Sequence, residues 1–208
     1  MRPRLATVDG ADASAYRQRL LAGMAAAIAE RTYPQVTVAD IVRLARTSRR
    51  TFYEHFTDKQ ECLVALIEDS HRRVVAAIAD AVDPTAPWAV QVRRAIEAWI
   101  DGVRADPEPT LNWIRVLPSL GPDARQLMRT TLAAYADLIH RLADNPAFAR
   151  AGVRQPSPQE TTMLLGALRE LIATTVEDGE DIASIVDIAA DFTIRVLAPR
   201  DRVPGPPA

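Results

Sequence analysis

Apolar residues recur every three to four positions over most of the chain, which is the pattern of amphipathic helices. The first run begins after Ser14, a residue suited to cap a helix, and continues to about Arg31. Two short helical segments follow, opened by Thr37 and Ser48, and then a long one that ends before Asp83. No stretch shows the long β-branched alternation of a strand, so the pattern predicts an all-α protein.

Five more helical runs lie beyond Pro87, which brings the predicted total to about nine. The start of one is marked strongly, because Ser157 can cap it while Pro158 and Glu160 occupy its first turn. Gly179 is the expected carboxy-terminal cap of the same helix. Helical periodicity is missing at both ends, which predicts a disordered arm over residues 1–13 and a flexible tail over residues 199–208.

Composition agrees with a helical globular protein that needs no disulfide or membrane. Of the 208 residues, 48% are hydrophobic and 25% are charged, and Cys62 is the single cysteine. No run of eighteen apolar residues and no cleavable leader is present, so we expect a cytoplasmic protein without a membrane partner. Cys62 lies one turn into a predicted helix, where a small core residue is a better interpretation than a redox sensor.

Charge is distributed unevenly between the two parts of the chain. Residues 1–60 carry ten Arg or Lys against six Asp or Glu, a net charge of +4, whereas the remainder carries −6. Such an asymmetry suggests that the amino-terminal part meets a polyanion, although a chance fluctuation among solvated faces explains the charge equally well.

The first three helices have the size and spacing of a helix-turn-helix unit, in which the third helix reads the DNA major groove. On that helix Phe52 and Phe56 are four residues apart and can face the core. Arg50, Thr51 and Glu54 then face outward. An exposed arginine suits guanine edges and phosphates, while the alternative is a merely solvated helix face.

The stretch from Thr37 to Leu66 resembles the DNA-binding signature of the TetR family of bacterial transcriptional regulators. The positions that fall on the family pattern are Thr37, Ile41, Ala45, Ser48, Thr51, Phe52, Tyr53, His55, Phe56, Lys59 and Leu63. The resemblance implies an amino-terminal three-helix DNA-binding domain, residues 14–57, joined by a long helix to a helical effector-binding and dimerisation domain, residues 58–198. It also implies a homodimer whose partners are double-stranded operator DNA and a small-molecule effector.

Carried over residue by residue, the resemblance assigns two kinds of DNA contact. It implies that Thr37, Tyr53, His55 and Lys59 position the domain on phosphates. It implies further that four residues at the start of the third helix approach base edges, namely Ser48, Arg49, Arg50 and Thr51.

Three departures from the family pattern fall near the turn. Arg46 stands where the family usually has glycine, Thr47 replaces a valine, and Arg50 often corresponds to a small residue. Arg46 therefore either avoids a left-handed backbone conformation or bears a strain that glycine would not. The operator sequence cannot be inherited from the family, because Arg50 adds bulk and charge to the recognition helix.

Large residues on three later helices are candidates for a ligand cavity, because such cavities are lined by aromatic and apolar side chains. These residues are Trp99, Trp113, Met128 and Tyr135, although plain core packing explains them as well. Two late helices also carry more apolar surface than a lone pair can bury, which fits the four-helix dimer interface that the resemblance implies. The predicted interface residues are Met163, Ala167, Leu168, Leu171, Thr175, Ile185, Ala189, Phe192 and Val196.

The sequence thus predicts a dimeric repressor that an apolar or aromatic ligand releases from a palindromic operator. The alternative is a helical module that binds a small molecule or a protein on the same scaffold without specific DNA binding. We expect no enzyme, cofactor or metal site, because no paired carboxylates, nucleophile-base pair, phosphate loop or ligand cluster stands out.

Overall fold

The computed structural model describes residues 8–105 and 107–199, and every regular element in these residues is helical. This confirms the predicted all-α fold, with one helix more than the nine expected. The α-helices of the described residues are α1 (Val8–Glu30), α2 (Val38–Leu44), α3 (Arg49–His55), α4 (Lys59–Ala81), α5 (Trp88–Ala105), α6 (Pro107–Leu111), α7 (Pro122–Ala143), α8 (Pro146–Arg150), α9 (Pro158–Glu177) and α10 (Val186–Leu197).

The chain forms two compact units, each with its own buried core. The first unit contains the described residues as far as His71 together with Glu108–Leu127. The second contains Arg72–Pro107 and the described residues from Met128 onward. The predicted functional domains were divided after residue 57, a different place, because that division followed the DNA-binding motif and not the packing. It remains a prediction about function.

In the first unit α1 packs against α2 and α3. Leu20 and Met24 of α1, Ile41 of α2 and Phe52 of α3 are all fully buried. The helices approach closely at Gly23, where a Cβ atom would lie 2.6 Å from the carbonyl oxygen of Ile41. The core therefore requires both the apolar periodicity of α1 and the lack of a side chain at position 23.

The second unit is built on helices α5, α7, α9 and α10 with the later part of α4. Its largest cluster of buried apolar residues includes Ile78, Ile100, Leu138, Leu164 and Ala190. A smaller cluster forms around Phe148 and Leu197. Burial of these side chains supplies the main free energy that holds the unit together.

Both signals predicted for α9 are confirmed. The Ser157 hydroxyl accepts from the backbone N–H of Glu160, and the Glu160 carboxylate accepts from the backbone N–H of Ser157. At the other end α9 finishes at Glu177, and Gly179 just beyond it has a φ of +71°, a left-handed conformation that favours glycine.

Two helix boundaries differ from the prediction. Helix α1 begins at Val8, so residues 8–13 of the predicted arm are helical, while residues 1–7 lie outside the described residues. The predicted tail lies outside them too, except for Pro199. The sequence did not predict α8, which starts at Asn145, whose side chain accepts from the backbone N–H groups of Ala147 and Phe148. Five residues are too few for a periodic signal, which is why α8 was missed.

Candidate functional site

Helix α3 is held at its start by Ser48 and underneath by aromatic packing. The Ser48 hydroxyl accepts from the backbone N–H of Thr51 at 3.0 Å, and the two hydroxyl oxygens lie 2.9 Å apart. Phe52 is fully buried and contacts the ring of Phe56 at 5.7 Å between centroids. The helix therefore presents one face to the core and the opposite one to solvent, as its sequence predicted.

The outward face of α3 carries two arginines and a tyrosine. Arg49 and Arg50 are exposed, and Tyr53 is 59% exposed. The Arg50 Nε donates to Glu54 at 3.0 Å, although the Arg50 side chain is 90% exposed. Such an exposed pair one helical turn apart is worth only about 0.3–0.5 kcal/mol, so a stronger acceptor can displace Glu54.

Arg46 adopts the left-handed conformation that the family's glycine would allow. Its φ is +51°, and it is the single non-glycine residue with positive φ among the described residues. The side chain of Arg19 donates to the carbonyl oxygens of both Ala45 and Arg46, which holds the turn in place. The sequence left open whether Arg46 avoids the left-handed conformation or adopts it under strain, and the structure shows the second.

We expect Arg46→Gly to raise the free energy of unfolding by about 1 kcal/mol. A residue other than glycine costs about 1–2 kcal/mol in the left-handed conformation, and the extra freedom of glycine in the unfolded chain offsets part of the gain. Chemical denaturation of the two proteins measures the change. Arg46→Ala is the matched control, since it removes the side chain and keeps the strain. Equal stabilisation by both variants would place the cost in the guanidinium and not in the backbone.

Lys59 and Thr37, both predicted to contact phosphates, are engaged within the domain in the structure. The Lys59 ammonium donates to the carbonyl oxygens of Tyr33, Pro34 and Val36 at 3.2, 3.1 and 2.8 Å. It also lies 4.7 Å from the centroid of the Tyr33 ring. An ammonium has three donors, and all three are used inside the domain, so Lys59 clamps the segment before α2 and has none left for phosphate.

Thr37 is occupied in the same way, by the start of α2. Its hydroxyl donates to the Asp40 carboxylate at 2.7 Å, and its backbone N–H donates to the same oxygen at 3.1 Å. These bonds hold the pKa of Asp40 below its usual range, and the charges of Arg31 and Arg43 lower it further. Thr37 caps a helix and has no donor left for phosphate.

His55 and Cys62 have no arrangement suited to chemistry. His55 is half-buried with its ring 6.4 Å from that of Phe56. Cys62 is fully buried, and burial raises the pKa of its thiol to about 12. A thiol that stays protonated is a poor nucleophile and a poor redox sensor, which confirms the interpretation of Cys62 as a core residue.

An apolar cavity of about 70 Å³ lies in the second unit. Two of the four predicted ligand residues line it: Trp99 and Tyr135, whose rings stack at 5.4 Å between centroids. The polar residues in its wall are satisfied elsewhere, since Gln91 donates to the carbonyls of Pro84 and Ala86 and Thr193 donates to that of Ala189. Burial raises the pKa of Tyr135. The cavity can therefore hold only an apolar group.

The other two predicted ligand residues do not line this cavity. Trp113 belongs to the first unit, where its ring packs edge-on against His71 at 4.5 Å between centroids. The sulfur of Met128 accepts from Arg169 at 3.5 Å. The sequence grouped these residues because they are large and lie on helices, but the helical period does not say which cluster a side chain enters. Phe148, on the missed helix α8, lines the cavity instead.

Four residues of the predicted dimer face are buried within the second unit itself, namely Leu168, Thr175, Ile185 and Ala189. Met163, Ala167 and Phe192 are exposed, while Leu171 and Val196 are partly buried. A further apolar residue, Ile188, is 59% exposed on α10. The sequence assigned whole apolar stripes to the interface, whereas the inner half of each stripe faces the core.

Residues 20–66 match the family model of bacterial regulatory proteins of the tetR family. This part of the chain is therefore similar to the TetR family. The match spans helices α2 and α3 and parts of α1 and α4, which are the elements that position the exposed arginines. No curated protein matches the chain.

Solved structures share the fold over most of the chain. FadR from Bacillus halodurans, a fatty acid degradation regulator, is 17% identical, with a TM-score of 0.73 over 87% of this chain and 94% of its own. FadR from Bacillus subtilis in complex with stearoyl-CoA is 15% identical, with a TM-score of 0.74 over 86% of this chain and 97% of its own. A tetR-family regulatory protein from Rhodococcus RHA1 is 18% identical, with a TM-score of 0.70 over 89% of this chain and 98% of its own.

The chain is thus similar to TetR-family transcriptional regulators both in its amino-terminal motif and in its fold. Within the described residues, no helix combines the length and the apolar character needed to cross a membrane.

Proposed function

We propose that the chain is a dimeric repressor that binds a palindromic operator through α3 and is released by a small apolar or aromatic ligand. The observation that carries the DNA-binding part is the exposed pair Arg49 and Arg50 on a capped helix whose other face is fixed by Phe52. A bidentate arginine–guanine contact contributes about 1–3 kcal/mol, which exceeds the value of the Arg50–Glu54 pair that it would replace.

Arg50→Ala should lose about 1–3 kcal/mol on the preferred duplex and little on a scrambled one, because a base contact acts only on its own sequence. The preferred duplex is first selected from a random library, and affinities are then measured by gel shift. Arg94→Ala is the matched control, since Arg94 also forms an exposed ion pair within one helix, with Glu97, but lies in the second unit. Equal loss on both duplexes would assign Arg50 to the DNA backbone.

Further phosphate contacts are proposed at Tyr53 and His55, and base contacts at Ser48 and Thr51. One of the two hydroxyl hydrogens of Ser48 and Thr51 is used between them, which leaves one for a base. Tyr53 is exposed and can donate its phenolic hydrogen. Thr37 and Lys59 are not part of this proposal.

The ligand site is proposed at the cavity lined by Trp99 and Tyr135. Its volume of about 70 Å³ is well below the roughly 300–1,000 Å³ of a typical ligand pocket, so binding must move its walls apart. Ile78 is in that wall and belongs to α4, the helix that follows the DNA-binding motif. Displacement of Ile78 is therefore a route by which a ligand can alter DNA affinity.

The FadR from Bacillus subtilis that shares this fold binds stearoyl-CoA, a ligand with a long apolar chain. An apolar chain or aromatic ring is also the chemistry that suits the cavity described here. A screen of such compounds by the fluorescence of the stacked Trp99, followed by operator binding, tests the proposal. A set of compounds that enter the cavity and leave operator affinity unchanged would count against a role in release.

The dimer is proposed through the exposed parts of α9 and α10, where Met163, Ala167 and Phe192 lie with Leu171 and Val196 at the edge. Met163 is 65% exposed and Phe192 is 41% exposed, and exposed large apolar side chains that lie together mark surfaces that a partner covers. Sedimentation at micromolar concentration decides the question, since a single species of monomer mass contradicts the interface.

A further inference from the structure

A second cavity, of about 370 Å³, lies between α7 and α9 in the second unit. This volume falls within the range of small-molecule sites without any movement of the walls. Its apolar lining comes from Leu132, Ala133, Ala136 and Leu165. Leu165 also lines the cavity of Trp99 and Tyr135, and the remaining residues of the second cavity do not.

Two buried polar atoms in the wall have no partner among the described protein atoms. The Thr161 side chain is 1% exposed, and its hydroxyl makes no hydrogen bond there. The Nε2 atom of His140 is also buried without a partner. Most buried polar groups are hydrogen-bonded, and an unpartnered one costs free energy. That two such atoms, on two different helices, line one cavity indicates that its occupant supplies the missing hydrogen bonds.

The charges of the lining select the kind of occupant. Arg129 and Arg169 both line the cavity, and its described lining includes no aspartate or glutamate. A guanidinium group matches the two oxygens of a carboxylate in a bidentate arrangement. The cavity thus combines cationic groups, a hydroxyl and an imidazole with an apolar floor.

We infer that the cleft between α7 and α9 is a second ligand site, which binds a small organic carboxylate with an aromatic or aliphatic body. The carboxylate lies toward the arginines and the Thr161 hydroxyl donates to it, while the apolar body covers Leu132 and Leu165. This site is separate from the cavity proposed for release of the operator, and it stands whether or not that cavity holds a ligand.

The probe is 2-naphthoate, and its neutral control of the same shape is 2-naphthamide. Isothermal titration of the full chain should show naphthoate binding at least tenfold more tightly than naphthamide, because only the acid carries a charge for the arginines. Equal affinities would overturn the inference, since an apolar groove alone would explain them.

Thr161→Val separates a ligand-binding hydroxyl from a purely structural one. Valine keeps the shape and removes the unpartnered hydroxyl, so the melting temperature of the free protein should rise by about 2–4 °C while naphthoate affinity falls about tenfold. Thr162→Val is the matched control, because the Thr162 hydroxyl already donates to the carbonyl of Pro158 at 2.8 Å. It should change naphthoate affinity less than twofold.

A charge variant completes the test. Arg129→Gln should weaken naphthoate binding about tenfold and bring its affinity close to that of naphthamide. Arg125 is also exposed on α7 but lies outside the lining, so Arg125→Gln should leave naphthoate affinity unchanged. Naphthoate affinity that survives both Thr161→Val and Arg129→Gln would place the probe elsewhere, for example beside Trp99, and would overturn the assignment.

Discussion

Acidification from pH 7 to pH 4 should cost the protein about 2–3 kcal/mol of stability through His71 alone. Burial lowers the pKa of His71 to about 4, and a hydrogen bond to the backbone of Ile67 opposes only part of that shift. The ring packs edge-on against Trp113, an environment that favours the neutral imidazole.

The sign of the effect follows from proton binding. Between pH 6.5, the ordinary value of histidine, and pH 4, the unfolded chain binds a proton at position 71 and the folded chain does not. Stability is therefore complete above pH 6.5 and falls as the pH approaches 4. Each pKa unit corresponds to about 1.4 kcal/mol, which sets the expected size after allowance for partial solvent access.

Urea denaturation at half-unit pH steps measures this loss, and the difference between wild type and His71→Leu isolates it. Carboxylates held below their usual pKa, such as Asp40 and Glu61, also lose stability in acid, but they do so in both proteins. If the free energy of unfolding of His71→Leu still falls between pH 6.5 and pH 5 as it does in the wild type, another group titrates there.

Local signals in the sequence predicted the helices and the orientation of the recognition helix. Caps such as Ser48 and Ser157 act within three or four residues, so the hydrogen bonds that they make follow from the residue types nearby. The burial of Phe52 and the exposure of Arg50 follow from the helical period in the same way. The sequence could identify Arg46 as unusual, because the family usually has glycine at this place in the turn. Only the backbone conformation of Arg46 was left open.

Features that depend on distant parts of the chain could not be predicted. The partners of Lys59 lie 23 to 26 residues away, and whether an ammonium reaches carbonyls or solvent depends on the packed fold. Trp99 and Trp113 are both large and helical, yet they belong to different units. The cleft of Thr161 and His140 joins two helices whose facing sides no periodicity identifies.

Lys59→Met should lower the free energy of unfolding by about 2–3 kcal/mol and leave the salt dependence of DNA binding unchanged. Methionine keeps the apolar stem but removes the ammonium, so the three carbonyls of Tyr33, Pro34 and Val36 lose their common donor. A hydrogen bond to a charged group contributes about 1.5–3 kcal/mol, and loss of the cation–π contact with Tyr33 adds about 0.5–1 kcal/mol.

A lysine bound to phosphate would behave in the opposite way. Its removal would reduce the slope of log affinity against log salt by about one, because one counterion fewer is released, and would barely change stability. Arg49→Met is the matched control: Arg49 is exposed on α3, so its loss should leave stability within about 0.5 kcal/mol and affect DNA binding only. Denaturation and salt-dependent gel shifts on both variants decide between the two roles. Unchanged stability with a reduced slope in Lys59→Met would return Lys59 to the DNA interface, whereas the reverse result makes it the clamp that holds the chain ahead of α2.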